Sequence, residues 1–233
     1  MDYRDRHVVV TGGTGALGTA VVGALIAGGA TCHVPFMAAH EAQRYAIREH
    51  ERVKLVLVAN LADETEVARL YDGLPRLWAS IHLAGGFALA PIRETTKSDL
   101  MAQLETNFIT AFLCCRAAIN AITRSGEGGR IVNTAARPAL EWRTGAGMTA
   151  YAASKAAVAA FTAALAEEVA KTGILVNAVA PSIMDTPANR AAMPKADYAA
   201  WPKVEEVAAT ICFLASPQNT VTRSGLVPVY GKS

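Results

Sequence analysis

A tyrosine and a lysine four residues apart, Tyr151 and Lys155 in Tyr-Ala-Ala-Ser-Lys, open an alanine-rich segment of helical period. Residues at that spacing share one helix face, so a phenol and an ammonium project into the same space. A cation beside a phenol favours the phenolate and draws its pKa down toward working pH. Such a pair can hand a proton to a nascent alkoxide, or remove one in the reverse direction. The spacing by itself carries little weight, because Tyr-x-x-x-Lys arises by chance in roughly a third of chains of this size. Without support it describes a surface tyrosine beside a solvated lysine.

Support comes from the start of the chain. The apolar run His7–Val10 passes into Thr11-Gly12-Gly13-Thr14-Gly15-Ala16-Leu17-Gly18, and a helical segment follows at once. Strand, glycine turn and helix in that order let the backbone approach a pyrophosphate at the helix N-terminus. In this reading Gly12 makes the tight turn, Gly15 allows close approach, and Gly18 lets helix and strand pack closely. Ala16 is tolerated only with a negative φ. Gly231-Lys232-Ser233 looks like the end of a phosphate-binding P-loop, but five residues separate it from Gly225 and the sequence stops where that motif's helix would begin. The motif allows four.

Holding these groups in register takes a regular framework. Near-continuous apolar runs at His7–Val10, Thr31–Val34, Val53–Val58, Ser80–Leu83, Arg130–Thr134, Ile174–Val179 and Leu226–Val229 suit parallel strands buried on both faces. Helical periods fill the gaps at Leu17–Ala27, Ala39–His50, Glu64–Asp72, Ser98–Arg124, Tyr151–Lys171 and Val204–Ala215, with Asp63 as an N-cap. The alternation predicts an α/β fold: a single-domain, Rossmann-type doubly wound parallel sheet of about seven strands with helices on both faces. No linker or repeat divides residues 1–233. Residues 182–203, flanked by Pro181 and broken by Pro187, Pro194 and Pro202, read as a lid over a site.

Composition narrows the function class. Hydrophobic residues make up 52% and charged residues 18%, with a net charge of +2, so neither nucleic acid nor an anionic membrane is an expected partner. Met1–Val10 lacks the apolar stretch of a secretory signal, and no apolar run reaches the length of a membrane span. The cytoplasm is the expected location. Cys32, Cys114, Cys115 and Cys212 have no paired spacing and the five histidines are separated in sequence, so no disulfide framework or metal site is expected.

With seven motifs in order, the chain resembles the short-chain dehydrogenase/reductase family over nearly its whole length. The matches are Thr11–Gly18, Asn60-Leu61, Ala84-Gly85-Gly86, Asn107, Ile131-Val132-Asn133, Tyr151–Lys155, and Asn177-Ala178-Val179-Ala180-Pro181. The resemblance implies an oxidoreductase using NAD or NADP on a small-molecule substrate. Tyr151 and Lys155 are then catalytic, Lys155 also holding the nicotinamide ribose, and Asn107 supports a water relay to Lys155. Gly12, Thr14, Gly15, Ala16, Leu17 and Gly18 would meet the diphosphate. Asn60 and Leu61 would border the adenine, with Ala84, Gly85 and Gly86 along the adjacent ribose and diphosphate. Pro181, Ser182, the Ile183 backbone, Thr186 and Thr134 complete the cofactor set. A plainer role for Asn107 is a polar bridge between adjacent strands.

Two departures stand out. Where the family places a serine that hydrogen-bonds the substrate oxygen, this chain has Ala136. Loss of one such donor costs about two to three orders of magnitude in acyl-transfer enzymes. Either Thr134 substitutes, or the substrate is electrophilic enough to need no donor, or the chain is a dinucleotide-binding sensor or scaffold with little turnover. Residues 185–201 and Gly85-Gly86-Phe87 resemble dihydropteridine reductases, which also carry alanine there and reduce a quinonoid dihydropterin. At the end of the second strand, where an acid would select NAD, stands Phe36. With His40 and Arg44 as distant cations, the balance falls slightly to NADP, unlike dihydropteridine reductases, which carry an acid there and use NADH. The long segments Ser98–Arg124 and Tyr151–Lys171 have apolar surface to spare, which suits a homodimer or homotetramer.

Overall fold

In a computed structural model describing residues 1–233, the seven apolar runs form one parallel sheet. Its strands are β1 (His7–Thr11), β2 (Thr31–Phe36), β3 (Val53–Leu57), β4 (Leu77–His82), β5 (Gly129–Thr134), β6 (Ile174–Pro181) and β7 (Leu226–Val229). They lie in the order β3-β2-β1-β4-β5-β6-β7. The direction of winding reverses between β1 and β4, which opens a crevice at the strands' carboxyl ends.

Alternation along β1 explains why both faces are covered. Val8 and Val10 pack on one side with Val22, Leu25 and Ile211, whereas Val9 faces the other with Leu70, Ile122 and Ile131. The first layer holds α1 (Ala16–Ala27) and, at the far end of the chain, α9 (Val204–Ala215). The second holds α3 (Glu64–Asp72), α5 (Thr110–Ser125) and α7 (Thr149–Glu168); α2 (Ala39–Arg44) precedes α3 and α4 (Lys97–Leu104) precedes α5 in the chain order. Asp63 caps α3 as expected, accepting from Thr65 N at 2.8 Å and Glu66 N at 2.9 Å.

Three helices depart from the expected bounds. The second stops at Arg44 instead of His50: it buries no residue, and Tyr45 leaves the helix to enter the core. The segment Ser98–Arg124 is divided into α4 and α5 by a π-turn at Glu105–Ile109, which contains Asn107. Finally, α7 starts at Thr149 and gives way to a 3-10 turn at Ala170–Thr172 before reaching Lys171's end of the expected range.

A buried polar chain crosses the sheet beneath the crevice. His82 Nδ1 lies 2.7 Å from Asn133 Oδ1, and its Nε2 lies 2.8 Å from Ser80 Oγ. Asn133 Nδ2 donates to Thr162 Oγ1 at 2.9 Å, tying β5 to α7. Separated in sequence, His7 and His33 meet across β1 and β2 at 2.9 Å.

Candidate active site

The carboxyl ends of β1, β4, β5 and β6 open into a cleft of about 340 Å³. One wall is the glycine-rich turn. Gly12 has φ +66°, and a Cβ there would stand 2.7 Å from Ala84 N, so the turn can hug β4 only as glycine. A Cβ on Gly18 would overlap Gly12 O, which explains the close seating of α1. Ala16 lies inside α1 and is not among the positive-φ residues, so its methyl meets the condition set by the sequence. No side chain caps α1 at Gly15. Its free amides and dipole favour an anion at the cleft.

Tyr151 and Lys155 line the opposite wall from the first turns of α7. Lys155 is buried, and its Nζ donates to Thr134 O at 2.8 Å. Burial pulls the ammonium down to about 8. The phenol moves opposite to the sequence expectation: burial pushes Tyr151 up to about 12. Lys155 directs its ammonium at the Thr134 carbonyl, and loss of water around the phenol sets the direction of the shift. Tyr151 therefore keeps its proton at neutral pH, the state a proton donor needs.

Between these walls Asn107 fixes the floor. Its Oδ1 accepts from Gly86 N and its Nδ2 donates to Gly86 O, each at 3.0 Å. Nδ2 also reaches Ser154 Oγ at 3.1 Å, and Ser154 donates to Tyr151 O at 2.7 Å. Asn107 thus joins the loop after β4 to the helix that carries both reactive side chains. A Cβ on Gly85 would come within 2.7 Å of Asn107 Oδ1 and 3.3 Å of Lys155 Nζ. The Thr134 hydroxyl is buried without a partner on a residue lining the cleft. Ala136, at the head of α6 (Arg137–Leu140), is buried and offers only a methyl.

Among the residues expected from the sequence, Gly12, Gly15, Ala16, Leu17, Gly18, Gly85, Gly86, Asn107, Thr134, Tyr151, Lys155, Pro181, Ser182 and Thr186 line this cleft. Thr14, Phe36, Asn60, Leu61, Ala84 and Ile183 do not. Leu61 is packed in the core with Val58 and Val67. Thr186 caps α8 (Pro187–Ala192) by accepting from Asn189 N at 3.2 Å, so its hydroxyl hydrogen remains free to donate. Within residues 182–203, Asp185 and Arg190 pair at 2.6 Å, and the Tyr198 hydroxyl donates to Met193 O. The tail carrying Gly231-Lys232-Ser233 joins this stretch: Lys232 N donates to Ala200 O at 2.9 Å.

Four neighbours were not among the site residues expected from the sequence. Phe87 packs edge-on against Tyr151 with ring centroids 5.0 Å apart, Met184 and Asn189 line the cleft, and Ser154 braces Asn107. The Gly-Gly-aromatic turn was a usable signal for Phe87; Ser154, adjacent to Lys155, was hidden in the alanine-rich pattern.

Residues 6–197 match the family model described as short chain dehydrogenase. The chain is 32% identical over 240 residues to galactitol 2-dehydrogenase of Rhizobium johnstonii, covering 96% of this chain and 93% of that protein. It is 28% identical over 247 residues to 2-dehydro-3-deoxy-L-rhamnonate dehydrogenase (NAD(+)) of a Sphingomonas species, covering 98% and 95%. Among solved structures, a short-chain type dehydrogenase/reductase from Mycobacterium ulcerans superposes with a TM-score of 0.90 at 22% identity, over 100% of this chain and 90% of that one. ElxO with NADP bound gives 0.87 at 21% identity, over 97% of each chain. At those identities the superpositions speak for the fold alone.

Proposed function

The chain belongs to the short chain dehydrogenase family and is an NAD(P)-dependent oxidoreductase, and from that premise we propose that it transfers hydride to a small carbonyl or quinonoid, pterin-like substrate. The observation that carries this reading is one cleft shared by Tyr151, Lys155 and the uncapped N-terminus of α1. The residues fit a nicotinamide dinucleotide: free amides for its diphosphate, the Gly12 turn for close approach, and an unpartnered Thr134 hydroxyl deeper in. When bound, the dinucleotide supplies the hydride.

The chain's own part is to orient and to move a proton. Tyr151 Oη holds the proton that neutralises the developing alkoxide, and burial keeps it there until oxygen basicity rises. Lys155 holds the nicotinamide ribose while its bond to Thr134 O fixes the ammonium. Asn107 acts as a positioning residue through Gly86 and Ser154. Thr186 and the Ile183 backbone meet the carboxamide, and residues 182–203 close as a lid over substrate. The choice between NAD and NADP rests on the groups around the end of β2.

Ala136 favours a substrate needing no hydroxyl donor at its oxygen, and the exposed Phe87 ring offers a face for a planar conjugated one. The exposed face of Ile109 and Phe112, with Phe108 and Phe161 alongside, suits self-association through α5 and α7. No helix is long and apolar enough to cross a membrane.

The test is oxidation of NADH or NADPH by the purified protein with quinonoid dihydropterin and with simple ketones. Turnover of dihydropterin alone supports the quinonoid branch of this reading, turnover of ketones alone supports the carbonyl branch, and turnover of neither overturns the reading. A second reading, a nucleotide-binding sensor or scaffold, draws on the methyl at Ala136 and on the raised phenol. Tight nucleotide binding with no hydride transfer to any substrate would favour it.

A further inference from the structure

At the adenine end of the proposed nucleotide site stands a carboxylate that the sequence pattern gives no reason to place there. β2 ends at Phe36, followed by the exposed Met37, and neither residue is acidic. Glu41, in the first turn of α2, reaches back over this junction. Its Oε2 lies 3.4 Å from Met37 N and 3.4 Å from Thr14 Oγ1. Both contacts are at the long limit of hydrogen bonding, yet together they fix the charge between the end of β2 and the glycine-rich turn. In a doubly wound sheet of this order, the adenine-side ribose lies at that junction, and an acid there takes its hydroxyls.

Resting on the dinucleotide reading of the site, we propose that Glu41 selects NAD(H) over NADP(H). A ribose 2′-hydroxyl is a donor and suits the carboxylate. A 2′-phosphate is an acceptor: it would need the Met37 amide and Thr14 hydroxyl that Glu41 already engages, and it would bring negative charge against negative charge. His40 and Arg44, the nearby cations of α2, are exposed, and the polar contacts of the Glu41 carboxylate are with Thr14 and Met37. The premise of a junction free of carboxylates, which tipped the sequence reading toward NADP, does not hold in the folded chain. The acid sits on the following helix instead of the strand end, where a strand-based motif does not look.

The experiment measures dissociation constants of NADH and NADPH by nucleotide fluorescence on the wild-type chain, Glu41→Gln and Glu41→Ala. The wild type is expected to bind NADH at least about tenfold more tightly than NADPH. Both variants should tighten NADPH by about tenfold or more, with a melting temperature close to wild type because Glu41 is only partly buried. Equal or tighter wild-type binding of NADPH, or an unchanged ratio in both variants, overturns the role of Glu41 while leaving the dinucleotide reading intact. Failure of either nucleotide to bind overturns both.

Discussion

Lys155 donates to the main-chain oxygen of Thr134 across 2.8 Å, tying α7 to the end of β5 at the floor of the cleft. The ammonium is buried, and its pKa falls from the free-lysine value of 10.5 to about 8. A site that orients a proton donor therefore holds a charge at a cost in stability.

That cost gives a prediction with a definite sign. Below about pH 8 the lysine is charged folded and unfolded, and the folded state bears the desolvation penalty, on the order of 3 kcal/mol. Between about 8 and 10.5 the unfolded chain binds more protons, so this group's contribution to stability rises with pH. Lys155→Met should abolish turnover yet raise Tm by several degrees at pH 7, with a smaller gain at pH 10. Thermal melts at the two pH values check this; a variant that melts below wild type at pH 7 contradicts it.

Acid should act through the buried histidines. Burial lowers His82 to about 4, and burial, then the His7 and Lys54 charges, lowers His33 to about 4. The unfolded chain takes up their protons first, so stability present above the free-histidine value of 6.5 is lost as pH falls from there toward 4. His82 alone contributes on the order of 3 kcal/mol across that window. Urea titrations at pH 7 and pH 5 should give a smaller pH dependence in His82→Gln than in wild type; equal slopes would show that His82 does not titrate as its burial demands.

Ala136 is the testable departure from the family pattern. Restoring the hydroxyl with Ala136→Ser should raise kcat/KM for simple ketones by about two orders of magnitude. The methyl is buried at the head of α6, where serine is also a good cap, so little stability should be lost. Steady-state assays on a ketone panel give the answer. No gain would mean that the site lacks something besides a donor.

The strand pattern carried most of the fold. β7 matches its expected bounds and the other six differ by a few residues, because strands buried on both faces leave an apolar run that little else produces. Helix interiors were less legible. Nothing in Ser98–Arg124 marks the π-turn, within which Asn107 reaches Gly86, a partner 21 residues away in the chain. At the site, Gly12 was readable because a tight strand-to-helix turn demands glycine, and Gly85, Tyr151 and Lys155 because they stand in register with the family's ordered motifs. The direction of the Tyr151 shift was not, since it depends on how much water the walls exclude. Glu41 lay beyond a one-dimensional reading because α2 must fold back on the glycine turn before its carboxylate reaches Thr14.

The central claim, that the Tyr151 phenol delivers the proton beside a bound dinucleotide, is tested most directly by Tyr151→Phe. The measurement pairs kcat on an accepted substrate with the dissociation constant for the reduced nucleotide. The account predicts a fall in kcat of about 10²- to 10⁴-fold with nucleotide affinity held. Turnover close to wild type, with nucleotide still bound, would contradict it.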